Sequence, residues 1–190
     1  MNRIHHRLCR SRWWYRTVED RLLPWVLHGV DLGGRVLEIG PGFGPTTRCL
    51  SRRAATVTAV EADPRLARQL ARTVPANVAV VAADGTAVPF GSRTFSAVVC
   101  FTMLHHVASP ALQDRLFADA YRVLAPGGVF AGSDSLPSLR FRLLHLGDTM
   151  VPVEPDGLPD QLRAAGFTDV AVSLAGRSVR FRARVPAAGS

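Results

Sequence analysis

The sequence contains no lysine, and all 23 of its basic residues are arginine. With 15 acidic residues the formal net charge is +8, and basic surfaces attract the phosphates of nucleic acids. A compositional preference for arginine also explains an excess carried by one residue type. Because the arginines form no solid block, a nucleic acid is an unlikely partner on sequence grounds.

Cysteine is scarce as well, and long apolar runs are missing. Cys9, Cys49 and Cys100 lie far apart without CxxC spacing, which argues against a disulfide framework and a thiolate zinc site. His5 and His6 are adjacent but isolated near the N-terminus, so no metal site is predicted. No stretch has the length of a membrane span or the pattern of a signal peptide. We therefore expect a cytoplasmic protein with no membrane span.

The length and the alternation of patterns favour one α/β domain. A chain of 190 residues, 47% hydrophobic and 20% charged, can bury a substantial core. Short β-branched runs alternate with amphipathic stretches, an order typical of a parallel sheet. The predicted strands are Val36–Ile39, Val57–Val60, Val78–Ala82, Ala97–Phe101 and Val129–Ala131. The predicted crossover helices are Pro45–Arg53, Pro64–Thr73 and Ala111–Leu124.

The two ends of the chain differ from this pattern. Leu158–Ala165 predicts a short helix, and Val170–Leu174 with Val179–Val185 predicts a closing antiparallel hairpin. Trp13–Leu27 is amphipathic and precedes the sheet, so residues 1–30 are predicted to form a helical cap on a sheet domain of residues 31–186. Leu136–Pro159 predicts an irregular loop.

The most informative motif is VLEIGPGFG at residues 36–44, where a buried strand runs into three alternating glycines. Gly40, Gly42 and Gly44 permit unusual backbone angles and let a flat ligand approach bare backbone. A dinucleotide fold prefers G-x-G-x-x-G spacing, whereas here the spacing is G-x-G-x-G. Glu38, just upstream, repels a phosphate and suits an ammonium group.

Two further carboxylates follow the second and third predicted strands. Glu61 comes 17 residues after Gly44, where ribose hydroxyls need an acceptor, and Asp84 follows the next strand. Each acid alone also suits a turn or a helix cap. Together with the glycine turn, the three acids predict a ligand site at one sheet edge.

Five successive motifs resemble those of the class I S-adenosylmethionine-dependent methyltransferases: VLEIGPGFG, AVEAD, AADGTAVPF, FTMLHHV and YRVLAPGGVF. The resemblance spans about residues 34–134 and is strongest to small-molecule methyltransferases. It implies a Rossmann-like, doubly wound, seven-stranded and mostly parallel sheet with S-adenosylmethionine as cofactor, converted to S-adenosylhomocysteine, and a small organic methyl acceptor. The cofactor-binding residues it implies are Glu38, Gly40, Pro41, Gly42, Gly44, Glu61, Ala62, Asp84, Gly85 and Phe101.

Two alternatives stay open. VLEIGPGFG and VEAD also resemble ribosomal RNA adenine dimethyltransferases, which carry an amide or acid and a Pro-aromatic pair after the fourth strand to hold the flipped base. This chain has Phe101-Thr102-Met103-Leu104 there, so that device is missing. The other alternative is a non-catalytic protein that binds the cofactor as an interaction module.

The candidate catalytic residues are His105 and His145, because histidine titrates near neutral pH. The pair His105-His106 belongs to the resembling LHHV pattern, where such a residue also packs near the cofactor. His145 and Asp148 fall in the predicted loop, and Ser133, Asp134 and Arg140 are assigned to the same region over the acceptor. Trp13, Trp14 and Tyr15 suit either a packed face or a cap that stacks on a flat acceptor. The oligomeric state and the acceptor atom are not predicted.

Overall fold

The computed structural model describes Arg7, residues 9–138 and residues 150–189. These residues form a seven-stranded sheet in the order β3-β2-β1-β4-β5-β7-β6. The pairs β1–β2, β1–β4, β2–β3 and β4–β5 are parallel, and β7 runs antiparallel to both β5 and β6. The prediction of a doubly wound, mostly parallel sheet with a C-terminal antiparallel hairpin is therefore confirmed.

The strands are β1 Arg35–Ile39, β2 Thr56–Glu61, β3 Val78–Ala82, β4 Phe95–Phe101, β5 Leu124–Ser135, β6 Thr168–Ala175 and β7 Ser178–Arg184. The helices are α1 Arg12–Thr17, α2 Leu23–Val26, α3 Pro45–Leu50, α4 Pro64–Ala71, α5 Pro110–Val123 and α6 Leu158–Ala164. A π-helical turn, Val18–Leu22, joins α1 to α2, and a 3-10 turn, Leu104–His106, follows β4. Pro45, Pro64 and Pro110 each begin a helix, where a missing N–H costs no hydrogen bond.

Strand β5 departs most from the sequence prediction. Only Val129–Ala131 is apolar enough to predict a strand, but pairing with β4 and β7 extends β5 through Ser135. Ser133 and Asp134 are buried inside this strand rather than exposed in a loop. Their assignment to the acceptor loop is thus wrong, because ladder hydrogen bonds continue past the apolar stretch.

The core lies in two layers, one on each face of the sheet. Helices α5 and α6 cover one face, where the rings of Phe117, Phe130, Phe167 and Phe181 cluster. Helices α1 to α3 and the π-helical turn cover the other face, with Val18, Leu23 and Leu50 fully buried. The N-terminal segment is therefore packed on the sheet, while the division of the chain at residue 30 stays a prediction.

Truncation of Phe130 tests the aromatic layer. Its ring is fully buried and contacts those of Phe117 and Phe181 at centroid distances of 5.9 and 5.0 Å. Phe130→Ala leaves a cavity and should lower the free energy of unfolding by about 3–5 kcal/mol in urea titrations. Leu174→Ala is the control, because Leu174 is 60% exposed, and it should change stability by less than about 1 kcal/mol. Equal losses would contradict this packing.

Candidate functional site

The glycine turn between β1 and α3 is held by one carboxylate from the neighbouring strand. Glu61 Oε2 accepts a hydrogen bond from Gly42 N at 3.0 Å, and its Oε1 accepts one from Asp63 N at 3.0 Å. Gly44 has φ of +80°, and a Cβ there would lie 2.3 Å from Leu70 Cδ1. Only glycine fits this left-handed and crowded position, which sets where α3 begins.

A cavity of about 900 Å³ opens at the carboxyl ends of the strands. Most of the sequence-predicted site residues line it: Gly40, Pro41, Gly42, Glu61, Ala62, Asp84, Gly85, Phe101 and His105. Glu38 and Gly44 are not among the lining residues. His145, Asp148 and Arg140 lie outside the described residues. The volume falls in the range of small-molecule and cofactor sites.

The charge of the cavity wall selects the kind of ligand. Glu61, Asp63 and Asp84 line it, whereas none of the described lining residues is arginine. A Cβ built on Gly42 would meet nothing within 4 Å, so bare backbone faces open space there. These features fit a ligand with hydroxyl donors and a positive charge, and they disfavour one with phosphates, which carboxylates repel.

The segment after β3 is fixed from the side of α5. Asp84 Oδ1 accepts a hydrogen bond from Thr86 N at 2.8 Å, which closes the turn. Further along, Asp119 Oδ2 accepts from Val88 N at 2.7 Å, and Arg122 Nη1 donates to Phe90 O at 2.6 Å. Asp84 is thus presented by a segment that is anchored at both ends.

Glu38 is buried beneath the cavity. Its Oε1 accepts a hydrogen bond from the hydroxyl of Thr46, a residue that lines the cavity, while its Oε2 has no hydrogen-bond partner. Burial raises the pKa of Glu38 from 4.5 to about 7, the Thr46 hydroxyl opposes this rise, and the charge of Glu61 adds to it. Glu38 therefore reaches the cavity through Thr46.

The N-terminal helix is attached to the glycine turn at Phe43. Tyr15 Oη donates to Phe43 O at 2.9 Å, and the Arg10 guanidinium lies 5.7 Å from the Phe43 ring centroid. Trp13 and Trp14 line the cavity, and Trp13 is 63% exposed. One wall of the cavity therefore comes from a helix outside the sheet.

A buried histidine–aspartate pair, which the sequence did not predict as a pair, lies where β4 and β5 end. His105 Nδ1 is 2.6 Å from Asp134 Oδ1, and His105 N donates to Asp134 Oδ2 at 3.0 Å. Both residues are almost completely buried. The strand-end argument that singled out Glu61 and Asp84 also points to Asp134, had the end of β5 been recognised.

Thr102 is another residue that the sequence did not single out as unusual. It lines the cavity directly after β4 with φ of +51°, a value that is costly for a β-branched residue. Its N–H donates to Ser133 O at 2.7 Å, so the extended β5 holds this conformation.

Two searches of the described ranges gave no site. No group of three or more His, Cys, Asp or Glu residues there is arranged to hold a metal ion. None of the helices in those ranges is both long enough and apolar enough to cross a membrane.

The fold and the cavity together define an α/β protein with a site for a cationic, hydroxyl-bearing ligand at the glycine turn. A family model described as "Methyltransferase domain" matches residues 37–132, which is half of the chain. The chain belongs to this methyltransferase family.

Two curated relatives differ in their substrates. A demethylmenaquinone methyltransferase of Tropheryma whipplei (strain Twist) is 36% identical over 103 residues, which cover 53% of this chain and 41% of the relative. A ribosomal RNA small subunit methyltransferase A of Mycolicibacterium paratuberculosis is 56% identical over 46 residues, which cover 24% of this chain and 14% of the relative. The matched region thus spans less than half of each relative.

A solved protein structure from Pyrococcus horikoshii OT3 has a similar fold over nearly the whole chain. The TM-score is 0.81 at 18% identity, and the alignment covers 97% of this chain and all of the other. This similarity supports the fold and carries no information on the substrate.

Replacement of Glu38 should change the pH dependence of stability. Between pH 4.5 and about 7 the folded chain holds a proton on Glu38 that the unfolded chain has released, so stability falls as pH rises through this window. The loss approaches about 3 kcal/mol above pH 7, at about 1.4 kcal/mol for each pH unit. Glu38→Gln, which resembles the protonated form, should therefore be more stable than wild type at pH 8 and similar to it at pH 5.

Urea denaturation at the two pH values measures this difference, with Glu154→Gln at an exposed position as the control. If Glu38→Gln were less stable than wild type at pH 8, the burial of an uncompensated carboxyl group would be refuted.

Proposed function

We propose that this chain is an S-adenosylmethionine-dependent methyltransferase that acts on a small organic acceptor. One observation carries the proposal: the bare backbone of the glycine turn faces a cavity whose charged lining residues are carboxylates. Membership of the methyltransferase family supports it.

Each part of the cofactor would meet a different strand end. Glu61 would accept hydrogen bonds from the ribose hydroxyls while still holding Gly42 N. Asp84 would accept from the adenine amine, with Gly85 beside the ring and Ala62 next to Glu61. Gly40, Pro41 and Gly42 would contact the methionine part, and Phe101 would offer its backbone there.

When bound, the cofactor supplies a methyl group on a positively charged sulfur, which a nucleophile attacks in line. The residues of the chain would align the two reactants, and such positioning accounts for much of the rate enhancement. Glu38 and Thr46 would act beneath the methionine ammonium group, because Thr46 lines the cavity and donates to Glu38.

The acceptor would enter beside Met103, Val107 and Leu112, which are apolar lining residues near the ends of β4 and α5. Trp13 and Trp14 offer aromatic surface on the side of the N-terminal helix. A small, flat acceptor suits these walls. The match to a demethylmenaquinone methyltransferase is in accord with an acceptor of this kind.

Calorimetric titration with S-adenosylmethionine and S-adenosylhomocysteine tests the cofactor assignment. Wild type should bind both, and Glu61→Gln should weaken binding by about tenfold or more, since the amide offers one acceptor oxygen instead of two and Gly42 N already needs one. Glu154→Gln, which removes a charge at an exposed site, should bind like wild type. Absence of binding to wild type would overturn the proposal, and binding without transfer to any acceptor would favour a non-catalytic role.

An RNA acceptor is the second candidate, because the match to a ribosomal RNA methyltransferase is 56% identical over its short span and the net charge is +8. We expect binding of a labelled RNA oligonucleotide to be non-specific and to fall steeply between 50 and 200 mM salt. Methyl-labelled cofactor should leave the RNA unlabelled. Label in the RNA would instead establish it as the acceptor.

A further inference from the structure

We propose that His105 and Asp134 form a general-base pair for a neutral hydroxyl acceptor of the phenol or enol class. The inference rests on the proposed function, since it concerns the acceptor of the same methyl transfer. His105 would be the catalytic base, and Asp134 would act through it as a positioning residue.

The geometry fixes the tautomer of the His105 ring. Three donors face the Asp134 carboxylate: the ring Nδ1 at 2.6 Å, His105 N at 3.0 Å and Ser135 N at 2.6 Å. A carboxylate surrounded by donors acts as an acceptor, so the ring proton lies on Nδ1. In a neutral imidazole the other nitrogen, Nε2, then has a lone pair and accepts a proton.

The backbone around His105 is held by a second set of hydrogen bonds. Buried Gln113 donates through Nε2 to Leu104 O at 3.1 Å and to Val151 O at 3.0 Å. Val151 N in turn donates to His105 O at 2.8 Å. The 3-10 turn is thus joined to α5 and to the segment before α6, which limits movement of the ring.

The position of charges along the sheet selects the acceptor. Glu61 and Asp63, at the end of β2, and Asp84, after β3, lie on one side of β1, whereas His105 and Ser135 follow β4 and β5 on the other side. No arginine lies among the described lining residues to bind a carboxylate acceptor. On the β4–β5 side no lining carboxylate is available to an ammonium acceptor, because Asp134 is already occupied by its three donors. A neutral acceptor that must lose a proton is the class left.

The step balances with these groups alone. The acceptor hydroxyl gives its proton to His105 Nε2 while its oxygen forms a bond to the methyl carbon. The carbon–sulfur bond breaks and its electron pair stays on sulfur, which becomes neutral. The protonated ring, stabilised by Asp134, then releases the proton to solvent.

Nitrogen-15 NMR of histidine-labelled protein reads out the pair without any turnover. In neutral wild type the His105 ring should carry its proton on Nδ1. In Asp134→Asn the side chain offers one oxygen to two donors, so the population protonated on Nε2 should increase. His28→Gln, at an exposed histidine outside the cavity, identifies one resonance and should leave the His105 signal unchanged.

Two phenols of different acidity test the base directly. The probes are 4-methylphenol, which must be deprotonated on the enzyme, and 4-nitrophenol, which is largely ionised at pH 8. With 4-methylphenol, His105→Gln should lower kcat by about 100-fold or more at nearly unchanged KM. With 4-nitrophenol the loss should be much smaller. Asp134→Asn should follow the same order and alter the pH profile of kcat.

The cofactor titration keeps the two proposals apart. If wild type fails to bind S-adenosylmethionine, the proposed function is overturned together with its acceptor. If the cofactor binds but the wild-type ring is protonated on Nε2, or the two phenols lose activity equally in His105→Gln, the general-base pair is overturned. If neither phenol is methylated by the cofactor-bound wild type, the acceptor class is wrong.

Discussion

The carboxylate of Glu61 joins the end of β2 to the glycine turn that follows β1, and the geometry of the cavity depends on that link. One oxygen holds Gly42 N and the other holds Asp63 N, so two loops are fixed by one side chain. The turn would otherwise consist of residues with little to order them, since glycine loses more conformational entropy than any other residue on folding. The same carboxylate is the proposed ribose ligand, so preorganisation of the turn and recognition of the ligand share one group.

Several features of this arrangement could be predicted from the sequence, because they depend on local patterns. The β-branched runs around Val57 and Val78 mark strands, the prolines at 45 and 64 begin helices, and the alternating glycines mark the turn. The residues after β2 and β3 then lie together at one edge, since parallel strands end on the same side.

The features that were missed depend on pairing between distant segments. Ser133 and Asp134 are polar, so no local pattern assigns them to a strand, and only the ladder with β4 and β7 extends β5 through them. The His105–Asp134 contact joins residues 29 positions apart and follows from that extension. The π-helical turn at Val18–Leu22 also has no local signal, because tertiary packing of Val18 and Leu23 determines it.

The contact between the N-terminal helix and the glycine turn couples two properties that are normally separate. Phe43 lies between Gly42 and Gly44, and its carbonyl accepts from Tyr15 while its ring faces Arg10. A molecule that enters past Trp13 and Trp14 must displace a helix that is bonded to the same turn on which the molecule will rest. The rate of ligand entry and the rigidity of the bound state are therefore governed by one contact, so a change that speeds entry also loosens the grip on the ligand.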